Sequence, residues 1–314
     1  MSQVSFVTID ENHEGQRIDN FLMNYFKKLP KSAMYRILRK GEVRVNKKRV
    51  EASCRLAIGD LIRIPPVKDI NLNENLELKI DPHKAKMLDN CVLFENDDLM
   101  IINKPSGIAV HGGSSHKTGL IETLRLMRPE AKFLELAHRL DRDTSGCLLI
   151  GKKPKILKEL HTLLREHKIK KTYHAVVIGK WPKQLSRIDT NLTKGTTKSG
   201  ERIVRSDKEG KEALTTFQVL QHFNYVSLIA CHPHTGRTHQ IRVHTQLAKH
   251  PIIGDDKYGE EKTNSEMLSL YGTKRLCLHA HKLSFSLSTG EAFSVEAPYD
   301  DKWNTIINKL KNEK

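Results

Sequence analysis

Between residues 67 and 90 this chain loses both its hydrophobic periodicity and its hydrophobicity. Asn, Glu, Lys and Asp dominate from Asp69 to Asp89. A stretch without a repeating apolar face has nothing to bury, so it reads as a connection between folded parts. At 314 residues the chain also exceeds the size at which a single core usually keeps growing. Two domains are therefore expected: residues 1–68, with a core at 15–65, and residues 91–314, joined by a linker at 69–90.

The two parts differ in charge. From Gly15 to Lys68 there are 14 lysines and arginines against 4 acidic residues, well over half of the whole-chain excess of +16. Residues 4–9 read as a short strand. Ile18, Phe21, Leu22, Tyr25 and Phe26 share one face of a helix. Ser32 is placed to cap a second helix with Met34, Ile37 and Leu38 on one side, and Gly41 to stop it. The opposite side of that helix carries Tyr35, Arg36, Arg39 and Lys40. Val43 and Val45 alternate into a turn at Asn46-Lys47-Lys48, with a return through Arg49 and Val50. Cations gathered on one helix face and the adjoining hairpin are the footprint of phosphate contacts, so nucleic acid is the expected partner, ahead of a neutral solvated surface.

Beyond residue 90 the patterns alternate between strand and helix. Strands are expected at 92–94, 99–102, 172–178, 214–220, 225–231, 276–285 and 292–295. Helices are expected at 118–127, from Pro154 through Leu164, at 239–248 and at 302–310. Residues 182–212 read as a long polar excursion or hairpin able to touch nucleic acid. The most informative stretch is 134–149. Leu134, Leu136 and Ala137 lead in, and Cys147, Leu148, Leu149 and Ile150 lead out. Between them lie Arg139, Asp141, Arg142, Asp143 and the turn Thr144-Ser145-Gly146. Strand-like flanks around a polar turn suit a rigid scaffold presenting a catalytic loop. A salt-bridged connection suits the same pattern, and charge alone leaves both readings open.

Five well-separated cysteines suggest neither a disulfide framework nor a cysteine zinc site, and reduced thiols in a cytoplasmic protein are expected. No signal peptide and no membrane-spanning run are read. His239 and His244 are five apart, which misses the helical spacing for one metal, whereas His279 and His281 alternate in a strand; no metal site is expected. Gly-x-Ser-x-Gly and phosphate-cradling glycine patterns are absent, which weakens hydrolase and nucleotide-cofactor readings.

Residues 15–65 resemble the S4 RNA-binding domain through Arg17-Ile-Asp-Asn-Phe-Leu, Tyr35-Arg-Ile-Leu-Arg-Lys-Gly41 and Val43-Arg-Val-Asn46. That resemblance implies RNA contacts by Tyr35, Arg36, Arg39, Lys40 and Arg44. The second part resembles the RluA family of pseudouridine synthases, which act on large-subunit ribosomal RNA. The motifs are Asn103-Lys-Pro-Ser-Gly107 with His111, His138-Arg-Leu-Asp-Arg-Asp-Thr-Ser-Gly146, Lys171-Thr-Tyr173, Thr235-Gly-Arg-Thr-His-Gln-Ile-Arg242 and Leu276-Cys-Leu-His-Ala-His281. The resemblance implies an α+β catalytic domain on a mainly antiparallel mixed sheet flanked by helices. It implies conversion of uridine to pseudouridine in 23S ribosomal RNA, free or in a precursor particle, without a cofactor, by a cytoplasmic monomer. It assigns Asp141 as the reacting carboxylate and Arg242 as the cation beside it, with Arg237 the second choice. Tyr173 is the expected stacking ring and hydroxyl, Arg139 a wedge that helps turn out the base, and His111 an RNA contact. Asp143 with Arg142 is expected only to stiffen the loop, and Thr144 and Ser145 to bond the turn backbone. The rival reading is an RNA-binding assembly factor with an inert second domain.

Overall fold

The computed structural model describes residues 4–26, 29, 31–66, 82–112, 119–197 and 202–312, the side chains of residues 31, 32, 82–84 and 202 excepted. The chain divides into two compact units, Met1–Lys79 and Ile80–Lys314.

The first unit comprises β1 (Ser5–Thr8), α1 (Ile18–Tyr25), α2 (Lys31–Arg39), β2 (Arg44–Val45) and β3 (Leu61–Ile64). Its sheet runs β1-β3-β2. Ile18, Phe21 and Leu22 of α1 meet Met34, Ile37 and Leu38 of α2 over Ile62 and Ile64, all buried. This is the apolar stripe expected of both helices, and it leaves Tyr35, Arg36, Arg39 and Lys40 exposed. Two details differ from the sequence reading. The helix α2 already includes Ser32, whose side chain lies outside the described residues. The partner of Arg44–Val45 is also not the nearby Arg49–Val50 return but β3, with Arg44 opposite Arg63. Asn46 and Lys47, both with positive φ, turn the chain tightly, and only a single bridge, Val45 to Lys48, forms locally. Ile62 offered a buried partner for Val45, which Arg49 does not.

The second unit begins inside the stretch expected as linker. Residues 82–89 form α3 (Pro82–Asp89), where Leu88 is buried against Leu120 and Leu124; residues 67–81 lie outside the described set. Among the described side chains of this helix Leu88 alone is buried, and polar composition concealed the helix. Then follow β4 (Val92–Glu95), β5 (Leu99–Lys104), α4 (Leu120–Met127), β6 (Glu135–Leu136), β7 (Ser145–Gly151), α5 (Pro154–Arg165) and β8 (Lys170–Ile178). Next come β9 (Arg187–Thr196), β10 (Arg202–Ser206), β11 (Lys211–His222), β12 (Val226–Pro233), α6 (Gln240–Leu247) and α7 (Glu261–Tyr271). The chain closes with β13 (Leu278–Ser286), β14 (Ala292–Glu296) and α8 (Asp301–Asn312). The helix expected from Thr118 is described from Leu120, and the polar excursion at 182–212 contains the antiparallel β9–β10 hairpin.

The sheet order is β10-β9-β11-β12-β8-β13-β7-β5-β4, with β14 on β13 and β6 on β7. The pairings are antiparallel except β13 with β7. Every residue of β7 is buried, as a strand covered on both faces must be. Its side chains alternate: Leu148 and Ile150 pack with Leu120, Ile121 and Leu124 of α4, whereas Cys147 and Leu149 pack with Ile156 and Leu160 of α5. The two faces are thus closed by different helices, an α+β arrangement. Gly146 is required where β7 meets β13: its φ is +108°, and a Cβ there would lie 2.3 Å from the Ala280 carbonyl oxygen.

Candidate active site

Asp141 lies in the turn between β6 and β7, just before the fully buried strand. The preceding motif holds that turn from below. Lys104, fully buried at the end of β5, donates from Nζ to the carbonyls of Pro105 (2.8 Å), Ile108 (2.9 Å) and Arg142 (2.9 Å). Burial pushes its amine down to about 7, while Asp143 and Asp141 oppose the shift. Three acceptors use all three ammonium protons, so this geometry favours the charged form. The Ser106 hydroxyl donates to the Asp143 carbonyl at 2.8 Å, and the Gly107 N–H to the Arg142 carbonyl at 2.9 Å. The Asp141 backbone is therefore clamped on its C-terminal side.

The Asp141 carboxylate, 19% exposed, faces α6. Arg242 Nη1 lies 3.6 Å from Oδ2, and His239 Nε2 lies 3.8 Å from the same oxygen. Arg242 is 5% exposed, and its orientation is set by a fully buried aspartate: Nε and Nη2 each donate to Asp255 at 2.7 Å. The Lys257 and Tyr258 N–H groups also donate to Asp255 Oδ1, so a tight turn holds the carboxylate that holds the arginine. Burial alone would lower the Arg242 guanidinium; the Asp255 hydrogen bonds and the Asp255, Asp141 and Asp256 charges raise it instead. A bidentate pair of this kind fixes a plane as well as a charge.

Asp141, Arg242, Tyr173, Arg139 and Arg237 line one cleft of about 320 Å³, together with Lys171, His138 and His239. That is near the lower end of ligand clefts, roughly 300–1,000 Å³. Tyr173 projects from β8, and burial, then the Asp141 charge, pushes its hydroxyl upward, so it stays protonated at neutral pH. Lys171 is lowered by burial. Arg139 is exposed at the mouth. Arg237 is also exposed, with Nε donating to the Glu212 carbonyl at 2.9 Å. His111 is not among the lining residues: its Nδ1 is 3.6 Å from Glu122, whose other oxygen accepts the Gly112 and Gly119 N–H groups. Tyr35, Arg36, Arg39, Lys40 and Arg44 lie in the first unit, exposed at its surface. There the Tyr35 hydroxyl donates to buried Asp19 at 3.2 Å, and Arg44 Nε to the Gly41 carbonyl at 3.2 Å.

Arg142 and Asp143 form the expected exposed neighbour pair at 3.1 Å. The Ser145 reading needs correction. Its hydroxyl does not bond the turn but points into the sheet, 2.9 Å from His279 Nδ1, and accepts from Arg275 Nη2 at 2.9 Å. Parallel pairing of β7 with β13 sets Ser145 directly opposite His279, a long-range register that no local pattern reveals. Asp255 and Tyr258 carry no sequence signal either: they lie beyond α6, and nothing in their local pattern points to Arg242. Among the described residues no group of three or more His, Cys, Asp or Glu side chains is arranged to hold a metal ion.

Comparison with known proteins agrees with this architecture. Residues 98–247 match the family model described as RNA pseudouridylate synthase, and residues 16–62 match the S4 domain. The chain belongs to the RNA pseudouridylate synthase family and is an enzyme of that class. It is 49% identical over 313 residues to the ribosomal large subunit pseudouridine synthase C of Escherichia coli (strain K12), covering 98% of this chain and 97% of that protein. It is 48% identical to the protein of the same name from Haemophilus influenzae, covering 100% of this chain and 97% of the relative. Among solved structures, human RNA pseudouridylate synthase domain containing 4 aligns with a TM-score of 0.61 at 25% identity, over 72% of this chain and 95% of that one.

Proposed function

We propose that this enzyme converts uridines of 23S ribosomal RNA to pseudouridine with Asp141 as the reacting carboxylate, within the bacterial cytoplasm. The observation that carries the reading is a half-buried carboxylate with Arg242 on one oxygen, in a base-sized cleft that also holds the Tyr173 ring. The substrate class follows the names of the relatives. In the reaction the N1–C1′ bond breaks, a C5–C1′ bond forms, and the C5 proton is lost as N1 gains one. No electrons are exchanged, so one carboxylate suffices, attacking C1′ or C6, or taking a proton at C2′.

Arg242, 3.6 Å from one oxygen, directs the Asp141 carboxylate. Tyr173 stacks on the base and holds a proton near it. A uridine in folded RNA must first leave its stack, at a cost of a few kcal/mol, and exposed Arg139 is placed to fill the gap. The S4 domain contributes phosphate contacts through Arg36, Arg39, Lys40 and Arg44, with Tyr35 beside them. The test is tritium release from [5-³H]uridine-labelled ribosomal RNA in EDTA. Wild type releases tritium, and Asp141→Asn loses at least about a thousandfold in rate while still binding RNA. Full activity in Asp141→Asn rejects the assignment, as does unchanged pseudouridine mapping in cells lacking the protein for the choice of 23S RNA.

A further inference from the structure

Arg242 and His239 approach the same oxygen of Asp141, Oδ2. Asp255 holds the arginine. The histidine needs a holder of its own, because His239 sits in the left-handed region (φ 53°) immediately before α6. A non-glycine residue keeps that backbone only when its surroundings require it.

The surroundings are supplied by Tyr258, which is 3% exposed. Its hydroxyl lies 2.7 Å from His239 Nδ1 and accepts the Val204 N–H at 3.0 Å. A phenol has one proton to give. Val204 is a donor, and among the described residues Nδ1 is the one acceptor that the hydroxyl meets, so the buried phenol proton is bonded when it points at Nδ1. Nδ1 is then an acceptor, and the imidazole proton belongs on Nε2, the nitrogen that faces Asp141. Burial lowers the His239 imidazole, with Asp141 and Asp255 opposing and Arg242 and Lys257 reinforcing the shift, which favours the neutral ring. Burial also raises the Tyr258 hydroxyl, which keeps its proton in place. The Tyr258 ring lies under the Arg242 guanidinium, 5.1 Å from centroid to Cζ. One side chain therefore supports both groups facing Asp141, the arginine by its ring and the histidine by its hydroxyl.

We propose that Tyr258 is a positioning residue that fixes His239 as its Nε2–H tautomer, so that His239 and Arg242 together hold Asp141 Oδ2 and present Oδ1 to the substrate. The proposal rests on Asp141 being the reacting carboxylate. It also ties the site to the β9–β10 hairpin, because Val204 belongs to β10 and packs with Leu192 of β9, Val243 of α6 and Tyr258 itself.

Tyr258→Phe separates the two supports: the ring stays under Arg242 and the proton for Nδ1 is lost. Two measurements on the full-length protein decide the matter. The first is ¹⁵N NMR of the His239 ring at pH 7, assigned by comparison with His239→Gln. Wild type shows Nε2–H with an unprotonated Nδ1, and Tyr258→Phe shows exchange between tautomers. The second is single-turnover tritium release. Loss of the hydrogen bond that orients His239 lowers the rate by about tenfold to a hundredfold, with unchanged half-saturating RNA. Tyr258→Leu, which also removes the ring from Arg242, costs more. A wild-type ring protonated on Nδ1, or a Tyr258→Phe protein with wild-type turnover, overturns the proposal. So does a slowed variant that retains the pure Nε2–H form. The tautomer reading does not depend on which carboxylate reacts, whereas activity in Asp141→Asn would remove the premise and leave the tautomer result standing.

Discussion

The two units handle positive charge in opposite ways. In the catalytic unit Arg242 is nearly buried, bound by two hydrogen bonds to a fully buried carboxylate and set over an aromatic ring. In the N-terminal unit Arg36, Arg39, Lys40 and Arg44 stand in solvent along a helix and the adjoining strand. A buried charge is stable only while its partners remain, so its value is geometric and its loss is abrupt. Exposed charges gain little from any one neighbour but add up over a polyanion. The first arrangement suits a reacting centre and the second suits holding an extended, variable substrate.

The contrast is sharpest at Asp255. Replacing it by Asn takes away the buried carboxylate that Arg242 bonds twice and leaves only the longer approaches to Asp141 (3.6 Å) and Asp256 (3.4 Å), and breaking a buried pair from one side costs about 3–5 kcal/mol. Thermal unfolding of the catalytic unit is expected to fall by roughly 10 °C, and tritium release by more than about a hundredfold as the guanidinium loses its plane. A variant with an unchanged melting temperature and turnover would show that Asp255 does not hold Arg242, and the distinction between the units would lose its clearest example.

Acid should separate the units as well. Burial pushes His138, His244 and His279 down to about 4 and His174 to about 3. Their contacts agree: His138 Nε2 accepts the Leu149 N–H, His279 is placed to donate from Nε2 to the Ala297 carbonyl while Nδ1 faces the Ser145 hydroxyl, and both His244 nitrogens are buried without a hydrogen-bond partner. Between an unfolded value near 6.5 and these folded values, the unfolded chain binds more protons. Stability of the catalytic unit is therefore lost as pH falls from about 6.5 toward 4, by at most about 1.4 kcal/mol per pH unit for each such histidine. In the first unit the hydrogen bonds from Arg17 hold the Asp19 carboxyl below its ordinary 3.8, so that contribution is lost only in stronger acid. Amide exchange protection at pH 5 should drop in β7, β8 and β13 and persist in α1 and α2. Equal loss in both units would contradict the assignment of neutral buried histidines.

How much of this was legible in the sequence follows from the range of the interactions. Apolar spacing placed α1, α2, α5 and the strands around 134–150, because each repeats within a few residues. The motifs named Asp141, Tyr173 and Arg242, which the fold gathers into one cleft from three distant segments. Invisible were partners fixed only by sheet register or by a distant turn: β3 for β2, His279 for Ser145, and Asp255 for Arg242. The helices α3 and α7 were hidden by polar composition. Among the described residues few of their side chains are buried, Leu88 in α3 and Met267 with Tyr271 in α7, too few to make a periodic signal.

The smallest effects belong on the exposed helix face. Arg36→Ala and Arg39→Ala each remove one phosphate contact if the S4 domain grips the RNA backbone. Each should weaken RNA binding severalfold at moderate salt and reduce the slope of log affinity against log salt by roughly 0.7–0.9. Turnover at saturating RNA should not change, because neither side chain belongs to the cleft. The double variant should fall near the sum of the two single effects, offset only by the coupling of about 0.2–0.5 kcal/mol that like charges three residues apart on one helix carry. A double variant much worse than that sum, or a fall in saturated turnover, would mean that the N-terminal unit also positions the reacting uridine. The separation between a gripping unit and a reacting unit would then give way to a single site built from both.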